Sequence, residues 1–186
     1  AVSKFILGGG SNILFTKDYD GLIIKNNIKG IELVREDEQF YYVKAGAGEI
    51  WHNFVLYCID HNFAGLENLS LIPGSVGAGP IQNIGAYGVE IKDYLLELEA
   101  LDIETLKVKT FSNAECSFGY RESVFKTSLK GKYIITSVTY KLLKKPNLNT
   151  SYGAIEKELE HMGVKDKTIK AISEAVCNIR NSKLPN

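Results

Sequence analysis

Three consecutive glycines, Gly8-Gly9-Gly10, followed by Ser11-Asn12, lie between two apolar runs, Phe5-Ile6-Leu7 and Ile13-Leu14-Phe15. A glycine cluster leaving a strand brings bare backbone N–H groups close to a phosphate, because no Cβ blocks the approach and a positive φ costs little. The residues after the cluster decide which folds can use it. A dinucleotide fingerprint requires G-x-G-x-x-G opening a helix, yet position 13 is Ile, and Ile13-Leu14-Phe15-Thr16 and Gly21-Leu22-Ile23-Ile24 read as extended segments. No Gly-Lys-Ser/Thr comes after it at the spacing of a P-loop. With both common glycine-loop folds excluded, two readings stand: a tight turn between strands, or a phosphate-facing loop of another kind.

The chain of 186 residues suits one domain or a domain and a half, and its 45% hydrophobic content is enough for a buried core. Lys+Arg 22 balances Asp+Glu 22 with no run of five like charges, which excludes the electrostatic footprint of nucleic acid or of an anionic membrane surface. No apolar stretch reaches the length of a membrane span and no signal-peptide pattern opens the chain, so the cytoplasm is the expected location. Cys58, Cys116 and Cys177 are odd in number and widely spaced, with no C-x-x-C. They read as reduced packing residues, and no metal site is expected. The chain begins almost on a strand and stops directly after a periodic helix, the pattern of a fragment.

Strands are expected at 4–7, 12–15, 22–25, 30–34 and 40–45. Trp51, Phe54, Val55, Cys58 and Ile59 then recur at three- and four-residue steps, predicting an amphipathic helix that stops by Asn62. Residues 65–88 change character: glycines at 65, 74, 77, 79, 85 and 88, Pro73 and Pro80, one acidic residue, Glu67, and no Lys or Arg. A hairpin over 95–111 around Glu104-Thr105 and a long strand over 132–143 restore a sheet. Two helices close the chain, Ser151 to Met162 and Asp166 to Asn181, the second with an apolar stripe of Ile169, Ile172, Val176 and Ile179 and with Asp166 as its cap. Mixed strands with segregated helices predict an α+β fold.

The segment from Ile72 to Gly88 is longer than the roughly 12–15 residues beyond which a loop is usually functional or disordered. It is too apolar to be a disordered linker, and Ser75, Gln82, Asn83 and Tyr87 are its only side chains able to hydrogen-bond. Such a loop suits burial against a diphosphate and rings; an Ω-loop packed on itself is the other reading. In Phe118-Gly119-Tyr120-Arg121-Glu122 an arginine stands among aromatics. A partly buried Arg there needs an anion, either a ligand or a carboxylate such as Glu122. Tyr152 sits at a turn before a helix and Arg180 at a helix C-terminus, where packing and the helix dipole are the simpler explanations. His52, His61 and His161 read as surface or satisfied histidines.

Taken in order, G-G-G-S-N-I-L-F at 8–15, A-G-A-G-E at 45–49, G-L-E-N-L-S-L-I-P-G-S-V-G-A-G-P-I-Q-N-I-G-A-Y-G-V-E at 65–90 and F-G-Y-R-E-S-V-F-K at 118–126 resemble the flavin domain of the UDP-N-acetylenolpyruvoylglucosamine reductase family. Tyr152-Gly153 and the closing I-R-N-S-K-L-P fit the same family. The resemblance implies the two-subdomain FAD-binding α+β module shared with vanillyl-alcohol-oxidase-type enzymes. Residues 1–48 would be a first subdomain lacking its opening strands and 49–186 a second with C-terminal helices, the substrate domain lying outside the chain. It further implies reduction of UDP-N-acetylglucosamine enolpyruvate to UDP-N-acetylmuramate in peptidoglycan precursor synthesis, with non-covalent FAD as cofactor, NADPH as co-substrate, and a monomer as the acting form.

Residue by residue, the resemblance makes Arg121 the group that binds and polarises the enolpyruvyl carboxylate, with Tyr120 beside it and Tyr152 toward the substrate diphosphate. FAD contacts fall to Gly8, Gly9, Gly10, Ser11, Asn12, Gly74, Ser75, Gly77, Ala78, Ile81, Gln82, Asn83, Gly85, Ala86, Tyr87 and Gly88, with Arg180 approaching the cofactor. The family's proton donor, in a G-N-A-G-S-F-F-K-N-P segment, and its C-terminal Glu have no counterpart before Asn186, so the piece is expected to be inactive alone. Two alternatives stay open: an FAD-dependent sugar or alcohol oxidase of the same superfamily, and a non-enzymatic flavin-binding module.

Overall fold

The computed structural model describes residues 2–183; Leu184 and Pro185, the end of the I-R-N-S-K-L-P segment, lie outside the described residues. Two four-residue strands open it, β1 (Lys4–Leu7) and β2 (Leu22–Lys25), paired in parallel with Lys4 opposite Leu22 and Leu7 opposite Lys25. Parallel strands cannot be joined by a tight turn and need a crossover. The glycine cluster is therefore not a hairpin turn but the start of that crossover, residues 8–21. The strand expected at 12–15 does not form: Ile13, Leu14 and Phe15 sit exposed on the crossover, where no neighbouring strand offers them a ladder. Phe15 instead meets Phe5 edge-on, at 6.1 Å between ring centroids.

The remaining strands and the first helix are β3 (Ile31–Glu36), β4 (Phe40–Gly46), α1 (Trp51–Asp60), the short pair β5 (Gly85–Ala86) and β6 (Val89–Glu90), β7 (Leu95–Asp102), β8 (Val108–Ser112) and β9 (Tyr133–Leu143). Five of them make one antiparallel sheet in the order β3-β4-β9-β7-β8. β9, the longest strand, takes the centre, with Ile135, Val138, Tyr140 and Leu142 all buried. α1 lays Trp51 and Phe54 against Tyr140, with centroids 5.9 and 5.2 Å from its ring. The Trp51 indole N–H, which cannot be buried without a partner, donates to Leu69 O at 2.8 Å. β3 and β4, which fall within residues 1–48, pair into the sheet with β7, β8 and β9, while β1 and β2 form a sheet of their own, as do β5 and β6.

The closing helices, α2 (Gly153–His161) and α3 (Ile169–Asn181), form a hairpin with its own small core of Ile155, Leu159, Ile172, Ala175 and Val176. Asp166 is not the cap. Thr168, extended at φ −128° and ψ 162°, accepts the Ala171 N–H at 3.1 Å, and Asp166 stands two residues too early to reach that turn. α3 docks on the turn Glu67–Leu69 through a buried Ser70–Ser173 hydroxyl pair at 2.7 Å. Cys58 and Cys116 are buried free thiols, as packing residues would be; burial pushes both upward, Cys116 to about 12. Among the described residues no helix is long and apolar enough to cross a membrane.

Candidate functional site

The Gly8–Asn12 turn faces the segment Gly74–Gln82 across a groove. Contact between them is so close that a Cβ at Gly9 would lie 3.3 Å from the Gly74 Cα, and one at Gly8 2.9 Å from the Ser75 Oγ. The second segment is held in place from beneath: Trp51 N donates to Gly74 O, Val76 N to Glu49 O and Gly77 N to Ala47 O, at 2.9–3.0 Å. These bonds anchor it to the corner where β4 passes into α1. The N–H groups of Gly8, Gly9, Gly10, Ser11, Asn12, Gly74 and Ser75 donate to no described residue. Backbone donors gathered without acceptors are what an anion requires.

On one side of this glycine-lined waist the groove widens to about 520 Å³, with Phe5, Ile6, Asn26, Ile81, Ile103, Phe125, Tyr133 and Ile135 among its walls and Lys4 and Lys130 at its edge. On the other it narrows to about 260 Å³ between Ser11, Asn12, Trp51, Pro73, Gly74, Gln82 and Arg121. Ser75 and Ala78 line both parts and so separate them by no more than their own width. The shape suits a long ligand with an anionic middle and flat, weakly polar ends. Among the described residues no three His, Cys, Asp or Glu side chains converge as metal ligands would.

Arg121 reaches the narrow end, though not as a partly buried side chain. It is exposed, at a left-handed φ of +54°, and its Nη2 donates to Gly85 O at 3.1 Å. Among the described residues it forms no ion pair, so the expected alternative of a salt bridge to Glu122 is not what holds it. Its exposure comes from its place at the tip of a tight turn, in which Gly119 N donates to Glu122 O at 3.0 Å. Tyr120 shares the tip and is 86% exposed.

Of the expected residues, Gly8, Ser11, Asn12, Gly74, Ser75, Gly77, Ala78, Ile81, Gln82 and Arg121 line the groove. Gly9 and Gly10 belong to the same turn. Gly85, Ala86, Tyr87 and Gly88 form the β5–β6 hairpin beside it, where Tyr87 meets Tyr152 edge-on at 5.3 Å. Arg180 is turned to the loop's entry, its Nε donating to Leu71 O at 3.1 Å. His52 Nδ1 accepts the Leu71 N–H at 3.0 Å, so that two side chains grip one residue in the left-handed region, Leu71 at φ +58°. Burial lowers the His52 pKa, which keeps the ring in the neutral form that can accept. The wall residues Lys4, Phe5, Ile103, Lys130 and Tyr133 escape a reading of the sequence. They come from strand ends remote in sequence, and only the apolar character of Phe5 and Ile103 hints at a role.

A family model described as an FAD binding domain matches residues 2–111. The chain is 58% identical over 184 residues to the UDP-N-acetylenolpyruvoylglucosamine reductase of Flavobacterium johnsoniae, a match covering 98% of this chain and 55% of that relative. To the reductase of the same name from Amoebophilus asiaticus it is 56% identical over 183 residues, covering 98% and 54%. The chain thus spans about half the length of the relatives it matches. A solved structure of UDP-N-acetylenolpyruvylglucosamine reductase from Thermus caldophilus superposes with a TM-score of 0.66 at 21% identity, over 100% of this chain and 58% of that one, which shows a shared α+β fold.

Proposed function

Since the chain belongs to the FAD-binding domain family, we propose that its groove holds FAD in the reduction of UDP-N-acetylglucosamine enolpyruvate to UDP-N-acetylmuramate by NADPH. The observation that carries this reading is the waist of the groove. Unbonded N–H groups of Gly8–Asn12, Gly74 and Ser75 sit where a dinucleotide has its diphosphate, between one wide apolar chamber and one narrow chamber ending at an arginine. FAD bound there would supply the hydride carrier between NADPH and the enolpyruvyl group. None of His52, His61 and His161 lines the groove, which favours a non-covalent hold.

In this assignment the wide chamber takes the adenosine and the narrow one the reacting ring. Arg121, exposed and without an acidic partner, binds the enolpyruvyl carboxylate and stabilises the negative charge that develops beside it. Tyr120 and Tyr152 face the sugar nucleotide, and Arg180 steadies the entry to the flavin loop while its remaining N–H groups stay available to the cofactor. The crossover with β1 and β2 acts as one FAD-binding subdomain and the sheet with its helices as the other, the join lying near residues 26–30. The enzyme acts as a cytoplasmic monomer.

The test uses the longer protein that carries this chain. NADPH oxidation that depends on the enolpyruvyl sugar nucleotide is expected; oxidation that needs only oxygen and an alcohol or sugar would replace this reading by the oxidase. Arg121→Ala should lower kcat/KM for the sugar nucleotide by about a thousandfold or more while the protein remains yellow with FAD. Near-normal turnover in that variant would remove Arg121 from its role.

A further inference from the structure

The tip that carries Tyr120 and Arg121 is exposed, but both ends of its base, half-buried Gly119 and buried Ser123, are tied to the flavin loop. Asn83 is 0% exposed: its Nδ2 donates to Gly119 O at 3.0 Å, and its Oδ1 accepts the Lys92 N–H at 3.2 Å. Ser123 is 1% exposed, and its Oγ donates to Ile81 O at 2.8 Å while accepting the Phe125 N–H at 3.2 Å. One anchor stands before the tip and one after it, and both reach into the same stretch, residues 81–83. Between them Arg121 is held in the left-handed region, a conformation that an arginine leaves unless its surroundings enforce it. Asn83 is itself left-handed, at φ +45°, which asparagine tolerates better than other side-chain-bearing residues. The family resemblance assigns Asn83 to the cofactor. Its Nδ2 and Oδ1 are each already engaged with protein in a fully buried position, which gives the side chain a structural task beside any contact with the cofactor.

We propose that Asn83 and Ser123 are positioning residues that fix the Tyr120-Arg121 tip relative to the flavin loop, and so set where the arginine meets the substrate carboxylate. The inference rests on the reductase reading for its consequence in turnover, but not for the existence of the anchors. It makes the flavin loop and the substrate-binding turn one mechanical unit: a ligand that orders residues 74–83 orders Arg121 with them.

The anchors are tested first by amide hydrogen exchange on the FAD-loaded, full-length protein. Asn83→Asp places an acceptor where Nδ2 donates, and Ser123→Ala deletes the other anchor. Each should speed exchange at Gly119 by about tenfold, the effect of losing one hydrogen bond, and leave the amides of β7 and β9 unchanged. Turnover is tested by double-mutant cycles. Each variant should lower kcat/KM for the enolpyruvyl sugar nucleotide, lower it no further when Arg121→Ala is already present, and recover in Ser123→Thr, which keeps the hydroxyl. Unchanged exchange, or losses that simply add to that of Arg121→Ala, would overturn the proposal. If the parent protein oxidises no NADPH with the sugar nucleotide, the reductase reading fails, and exchange then decides the anchors by itself.

Discussion

Glu67 is a carboxylic acid in the core, 3% exposed, whose Oε2 accepts the Gly65 N–H at 2.7 Å. Burial pushes its pKa above the ordinary range, opposed in part by that hydrogen bond. The folded chain therefore keeps a proton that the unfolded chain releases, and Glu67 withdraws stability as the pH rises from the ordinary carboxylate value through the raised one. His52 has the opposite sign: its depressed pKa means stability is lost as the pH falls below about 6.5. Comparison with Glu67→Gln isolates the first effect, since Gln keeps an acceptor for Gly65 and cannot ionise. Urea denaturation should show the variant gaining on the parent as the pH rises above the ordinary carboxylate value; a difference independent of pH would show that Glu67 titrates alike in the folded and unfolded chain. At this scale the sequence is half legible. Arg121 can be singled out because an always-charged planar group among aromatics demands a partner, but its exposure cannot, because exposure depends on the turn that lifts it. Asn83 reads as a ligand contact because its residue type permits one. That its amide bonds Gly119 and Lys92 depends on contacts 36 and 9 residues away.

Secondary elements are the most legible level. α1 and α3 announce themselves by apolar periodicity, β9 by its β-branched and aromatic content, and the β7–β8 hairpin by the Asp102–Thr105 turn, where the Asp102 carboxylate accepts the N–H groups of Glu104 and Thr105 at 2.9 Å. Boundaries are less so. The start of α3 turns on which of Asp166 and Thr168 caps it, and both are good capping residues; only the observed bond to Ala171 selects Thr168. Thr168→Ala should cost about 1 kcal/mol in denaturant unfolding and Asp166→Ala only a few tenths, and the reverse order would restore Asp166 as the cap. Residues 12–15 fail as a strand for a different reason. An apolar run becomes a strand only where a neighbour completes its hydrogen bonds, and the crossover passes beyond the reach of any edge.

For the molecule as a whole, the groove exists because β1 and β2 form a small body set against the larger sheet. Asn26 Nδ2 donates to Ile135 O at 2.8 Å, and Gly46 N and Gly48 N donate to Gly30 O and Ile28 O at the same distance. A ligand that bridges the two bodies stabilises both. FAD at about a hundred times its Kd should therefore raise the unfolding free energy by about 2.7 kcal/mol, read as a shift in Tm with and without cofactor. An unchanged Tm at that concentration would mean that FAD does not bind the folded chain in preference to the unfolded one. The sequence by itself determined most of the elements, the α+β class and the two glycine-rich stretches, because periodicity, propensity and the missing Cβ are properties of short segments. Only the tertiary structure decided that the first stretch opens a parallel crossover, that it lies against Gly74 and Ser75, and that its N–H groups have no acceptor among the described residues. Strand pairing and close approach join residues far apart in the chain, and whether a backbone donor is satisfied is settled by what has folded next to it.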